Sequence, residues 1–83
     1  MQYVLTIHAA DALGKRKIQR EWLERALNTP GRTVPDPVDP ALEHRLAIIP
    51  EHDNRVLRVL VNTHVNPVRV VTVYFDRTVR GKL

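Results

Sequence analysis

Cysteine is absent from these 83 residues, which excludes disulfide staples and thiolate metal sites and fits a reducing compartment. Aromatic residues make up only 5% of the chain against 43% hydrophobic residues overall, so a core must rest on Val, Leu, Ile and Ala. No apolar run approaches the length needed to span a bilayer, and the opening MQYVLTIHAADALGKRK has no basic stretch ahead of its short apolar run. The expectation is a soluble, cytoplasmic protein with no membrane attachment. Also missing are a phosphate-cradling glycine loop, a dinucleotide fingerprint, a G-x-S-x-G elbow and a cysteine nucleophile. The histidines show no H-x-H or H-x-x-x-H spacing, which argues against a zinc enzyme. Any enzymatic reading therefore narrows to acid–base chemistry with no cofactor and no metal.

What the chain does have is positive charge. Lys and Arg number 13 against 9 Asp and Glu, a formal net charge of +4. That balance favours a polyanionic partner, nucleic acid or an acidic protein, although it also lies within the ordinary solubility charge of a small domain. The basic residues cluster twice, as Lys15, Arg16, Lys17 and Arg20, and again as Arg77, Arg80 and Lys82 in a basic tail over 77–83. Two clusters bordering one surface would suit a nucleic-acid backbone; the plainer reading is two solvated ends. The length allows one domain, 1–83, and a core so small would gain from covering another sheet face in a homodimer.

Periodicity divides the chain into elements. QYVLTI (2–7) alternates as a strand, and HAADALGKRK (8–17) carries Ala9, Ala12 and Leu13 at helical spacing. IQREWLERALNTPG (18–31) places Ile18, Trp22, Leu23, Ala26 and Leu27 on one helix face, with Asn28, Pro30 and Gly31 as the stop. Pro35, Pro37 and Pro40 predict an extended loop over 35–41, either wrapped on the core or mobile. Three strands follow, 42–49, 55–62 and 68–75, joined by short turns. The predicted fold class is α+β, in the order β-α-α-β-β-β, an antiparallel sheet with two helices packed on one face.

Parity along each strand then sorts the faces. If the apolar sets Tyr3–Leu5–Ile7, Leu42–Leu46–Ile48, Leu57–Val59–Val61 and Val71–Val73–Phe75 lie under the helices, the open face collects Thr6, His8, Arg45, Arg58, Thr72 and Tyr74. A single β-bulge would flip part of that assignment. Arginines bind phosphate bidentately, a histidine moves protons near neutral pH, and a tyrosine can stack on a base. These are the parts of a metal-independent ribonuclease: a base, an acid and cations for the transition state. Each residue has a plainer role beside that one. His8 can serve the strand-to-helix junction, Arg58 can pair with a carboxylate such as Glu43, and Tyr74 can fill an interface.

The segments HAADALGKRKIQREWLERALNTP, LEHRLAIIPEHDNRVLRVLVN and VRVVTVYFDRTVRGKL together resemble an uncharacterised bacterial family, the domain of unknown function DUF4258. Its opening motif runs HA-x-x-R-M-x-x-R-G-I, and His8, Arg16, Arg58, Thr72 and Tyr74 fall on emphasised positions. The departures are Ala12 where the motif usually has arginine and Lys17 where it often has glycine. That family is similar in predicted fold to RelE-like toxins of the barnase–colicin–RelE endoribonuclease group. The resemblance implies a sheet bearing ribonuclease-type residues, with RNA or the ribosome as target and an antitoxin protein as companion. On that footing His8, Arg58 and Tyr74 are the candidate catalytic residues, and Arg16, Arg45, Thr72 and Arg77 the candidate substrate-binding ones. The alternative is a non-enzymatic module that binds a protein or dimerises through the open face. A DNA-binding reading is weaker, because the helices lack a recognition-helix pattern.

Overall fold

A computed structural model describes residues 2–83 and orders them as β1 (Tyr3–Leu5), α1 (Ile7–Lys15), α2 (Arg20–Asn28), β2 (Arg32–Pro35), β3 (Leu42–Ile49), β4 (Arg55–Asn62) and β5 (Val68–Phe75). Short 3-10 turns occupy Pro50–His52 and Arg77–Val79. The sheet order is β1-β5-β4-β3-β2, so β3, β4 and β5 form the expected meander at its centre. The α+β class and helix–sheet layering stand as predicted. Two details differ. β1 pairs with β5 in parallel, and the segment just before the proline-rich loop adds a strand, β2, antiparallel to β3. Pro35 ends β2 at the outer edge of the sheet, where its missing N–H leaves no ladder bond unmade.

The first strand is shorter than its alternation implies, because Thr6 turns the chain into a helix. Its hydroxyl accepts from the Ala9 amide as an N-cap and also donates to the Val71 carbonyl, 2.9 Å away. α1 closes with Lys17 in the left-handed region at φ 54°. The Ile18 amide donates to the Leu13 carbonyl and the Lys17 amide to Gly14, the two bonds of a Schellman motif. Lys17 therefore stands at the position where helices prefer glycine, which gives a physical reason for the glycine common in the resembling motif. α2 buries Trp22, Leu23, Ala26 and Leu27, two adjacent pairs one turn apart that form a single stripe.

These helix residues meet Ala47, Ile49, Leu57, Val59, Val61, Val70 and Val73 in one cluster. The predicted face assignment is corrected in β3 and β5, and Ile7, expected under the helices, instead begins α1 and is 91% exposed. In β3, Ala47 and Ile49 lie under the helices, and Arg45 shares their face, opposite Val59. Leu46 and Ile48 instead face away, opposite Arg58 and Val56. In β5 a bulge lets Leu60 pair with Thr72 while Val61 pairs with Val70, so Val71 is the extra residue and Val70 turns into the core with Val73.

The far face is not bare. Leu46 and Val56 are each only 1% exposed although neither belongs to the helix-side cluster. The chain after β5 returns to this side of the molecule near β2 and β4. Arg32 donates to the Lys82 carbonyl, the Leu83 side chain packs against Gly31, and the turn at Arg77–Val79 contacts β4. Among the described residues no helix is long and apolar enough to cross a membrane.

Candidate nucleic-acid interface

The β5 bulge and the end of α1 together shape one end of the sheet. β1 covers the outer edge of β5 only as far as Val70. Beyond the bulge, α1 takes over that edge. Arg16, the residue that caps α1, donates from Nη1 to the Val73 carbonyl at 3.1 Å. Its guanidinium is thereby fixed beside the last residues of β5 while the residue remains exposed.

Across from it, the connection between β3 and β4 brings up His52 and Arg55. Pro50 starts the 3-10 turn, and Asp53 and Asn54 take left-handed conformations at φ 58° and 55°, which these residue types tolerate. Arg25 of α2 fastens the turn with a two-pronged bond to Glu51 at 2.9 and 2.6 Å. The hydrogen bonds from Arg25 hold the Glu51 carboxyl well below its ordinary range, at about 2. His52 packs into a three-ring group, 4.7 Å from Phe75 and 5.3 Å from Trp22 between ring centroids. Among the described residues its ring makes no hydrogen bond, so packing alone orients both nitrogens.

Arg16, His52, Arg55, Tyr74, Phe75 and Arg77 line an open groove of about 440 Å³. A smaller hollow of about 120 Å³ adjoins it, sharing Arg55, Phe75 and Arg77 and adding Asp76 and Arg80. Arg80 is paired with Asp53 at 2.8 Å, whereas the side chains of Arg55 and Arg77 have no hydrogen-bonded or ion-paired partner among the described residues. The groove thus concentrates cations around three rings, with little carboxylate to neutralise them.

A second polar constellation lies on the far face. His44 Nε2 donates to Asp36 Oδ1 at 2.6 Å, Arg58 Nη1 donates to His44 Nδ1 at 2.7 Å, and Arg58 Nε donates to Asp76 Oδ2 at 2.7 Å. A guanidinium can only donate, so His44 Nδ1 must accept and the Nε2 proton points at Asp36. Asp36 also accepts from the Asp39 and Val38 amides; these bonds, with that of Asp39 largest and the His44 contact next, lower its carboxyl to about 2. Asp76 accepts from both the Thr78 hydroxyl and amide, and the hydroxyl bond is the first cause of its lowered pKa. The chain of bonds ties the proline-rich segment, β3, β4 and the tail together. All four side chains are at most 15% exposed.

The residues expected from sequence fall into three groups. Arg16, Arg77 and Tyr74 come together in the groove. Arg58 and Thr72 lie on the far face with Tyr74, since Arg58 pairs with Tyr74 and Leu60 with Thr72, and the carboxylate partner of Arg58 is Asp76, not Glu43. His8 and Arg45 lie elsewhere. His8 is exposed in the first turn of α1, with no hydrogen bond among the described residues, because the strand stops at Leu5. Arg45 faces the helices, where it donates to the Leu27 carbonyl at the end of α2 and pairs with Glu43. His52 and Arg55 flank a turn and His44 stands alone among apolar residues, so no motif or periodicity marks them in the sequence. The Asp–Asn pair at 53–54 was the available signal, since its tight reversal brings residues on either side to one end of the sheet. Among the described residues no group of three His, Asp or Glu side chains could hold a metal ion.

An α+β domain with a basic, ring-lined groove at the C-terminal end of β5 is thus the class that fold and site define. The profile of the family described as domain of unknown function DUF4258 matches residues 5–75, and the chain belongs to that family. No curated protein and no solved structure gives a significant match.

Proposed function

We propose that this domain acts on RNA, with the substrate backbone lying in the arginine-lined groove, as a metal-independent endoribonuclease of RelE-like type or as a relative that binds RNA without cutting it. One observation supports the reading above the others. Arg16, Arg55 and Arg77 converge with His52 and Tyr74 on one concave surface, and none of the three arginines is paired with a carboxylate among the described residues. Guanidinium groups held this way bind phosphate oxygens and offset the charge that develops at phosphorus during in-line attack. An imidazole with unbonded nitrogens is suited to take the proton of a 2′-hydroxyl, and a phenol beside it to orient a phosphate oxygen. In this reading Arg58 is a positioning residue behind Tyr74, and no cofactor is required. The RelE-like version adds the ribosome and a neutralising partner protein as expected companions.

The test is incubation of end-labelled RNA with the protein, read on native and denaturing gels beside the Arg55→Gln/Arg77→Gln double variant. Retarded or shortened RNA with the parent and neither with the variant is the expected result. A folded parent that neither retains nor cuts RNA at low salt overturns the reading. A protein-binding or dimerising module is the second reading, supported by Val4 and Ile48, which are 44% and 38% exposed on the far face. A monomer mass by light scattering removes its homodimer form.

A further inference from the structure

Two adjoining cavities with different chemistry meet in this site. The larger is cationic and open, and its walls carry no carboxylate. The smaller is lined by Asp76 and Phe75 together with Arg55, Arg77 and Arg80. A phosphate suits the open first cavity, whereas the second adds a carboxylate acceptor and a ring face that a phosphate cannot use. A flat, uncharged, aromatic ring suits the second, because it can stack on Phe75 and lie against a guanidinium plane.

Asp76 also has hydrogen-bonding capacity left. A carboxylate offers about four acceptor positions. Thr78 fills two at Oδ1, and Arg58 fills one at Oδ2. The remaining position on Oδ2 accepts an N–H, which every unpaired nucleobase presents on its Watson–Crick edge. In a duplex those groups are already engaged, and a base within the stack cannot reach a hollow of about 120 Å³ beside a groove.

We infer that the site takes single-stranded RNA, with the backbone across Arg16, Arg55 and Arg77 and one splayed base lodged against Phe75 and Asp76. This inference rests on the reading of the groove as an RNA site and gives it a substrate class. Phe75 and Asp76 become specificity residues for strandedness, and Arg80, released in part from Asp53, closes over the base.

The experiment is fluorescence anisotropy with a labelled eight-nucleotide 2′-O-methyl strand, which cannot be cut at its 2′-oxygens. It is compared with the same strand in a blunt duplex and with an abasic strand of equal length. Stacking of one base corresponds to roughly a 5- to 150-fold gain in affinity, so the single strand is expected to bind at least about fivefold more tightly than either control. Arg80→Gln, at an exposed position that does not threaten the fold, is expected to narrow that margin, and Phe75→Leu to abolish it in protein whose circular dichroism is unchanged. Equal binding of the abasic strand or the duplex overturns the inference and leaves the RNA reading standing. Failure to bind any of the three overturns both.

Discussion

Replacing Arg58 with Met tests whether the far-face network is a structural clamp. The substitution keeps most of the aliphatic stem and removes two hydrogen bonds, one to His44 and one to Asp76. Arg58 and Asp76 are 15% and 13% exposed, so the pair is only lightly screened by solvent. Breaking such a pair from one side costs roughly 3–5 kcal/mol, because the remaining charge is left with too few partners. Asp76 keeps its two bonds from Thr78, which argues for the lower end, about 3 kcal/mol. For a domain of this size that corresponds to a melting temperature lower by roughly 12–24 °C. Urea unfolding followed by the fluorescence of Trp22, the sole tryptophan and only 5% exposed, measures it directly. Lys15→Ala is the control: its pair with Asp11 joins side chains 77% and 54% exposed, and a loss of at most about 0.5 kcal/mol is expected. A loss below about 1 kcal/mol for Arg58→Met refutes the clamp, and it would free Arg58 to be considered as a ligand of substrate.

Three further outcomes follow from the geometry. If three arginines meet phosphates of a single strand, log K against log salt has a slope near about −2, and each of Arg16→Gln, Arg55→Gln and Arg77→Gln lowers its magnitude by about 0.7; titrations between low and moderate salt read this. Asp36 and Glu51 titrate at about 2 in the fold against ordinary values of 3.8 and 4.5, so each contributes stability that is complete above about pH 4.5 and lost as pH falls toward 2. Urea midpoints from pH 6 to 2 should fall in that window and fall less in Asp36→Asn and Glu51→Gln. Lys17→Gly should stabilise by about 0.5–1 kcal/mol, since relief of the left-handed strain at φ 54° exceeds the added freedom of the unfolded chain; a lower midpoint contradicts the Schellman reading.

The layering was legible from sequence because the strands alternate over whole lengths and α2 carries an unbroken apolar stripe. What failed was local. Leu46–Ile48 and Ala47–Ile49 are both apolar sets, and only the neighbouring elements decide between them: the helices take Ala47 and Ile49, while Leu46 is buried on the opposite face. The inward turn of Val70 depended on a bulge, and nothing in VRVVTVYF marks Val71 as the extra residue. Arg45 was assigned to the far face by the same parity error. In its actual place it satisfies a helix carbonyl, a role that requires knowing where α2 ends. Arg77 and Arg80 stand out in the sequence by charge alone; that both meet Arg55, and Arg77 also His52, depends on the turn at 53–54.

The three histidines most relevant to chemistry separate by what they are bound to. His44 is committed on both nitrogens, to Asp36 and Arg58, so moving a proton there would first require breaking the clamp. His8 is exposed and carried by the first turn of α1, outside the groove lining. His52 is held by ring packing, keeps both nitrogens unbonded among the described residues, and shares its groove with Arg16, Arg55 and Arg77. Preorganised orientation with unspent hydrogen-bonding capacity is what acid–base work on a phosphodiester demands. His52→Gln is therefore expected to abolish any RNA cleavage while leaving RNA affinity within about threefold, because binding rests on the arginines. Cleavage that survives in His52→Gln but disappears in His8→Gln would move the chemistry off the groove and onto the start of α1.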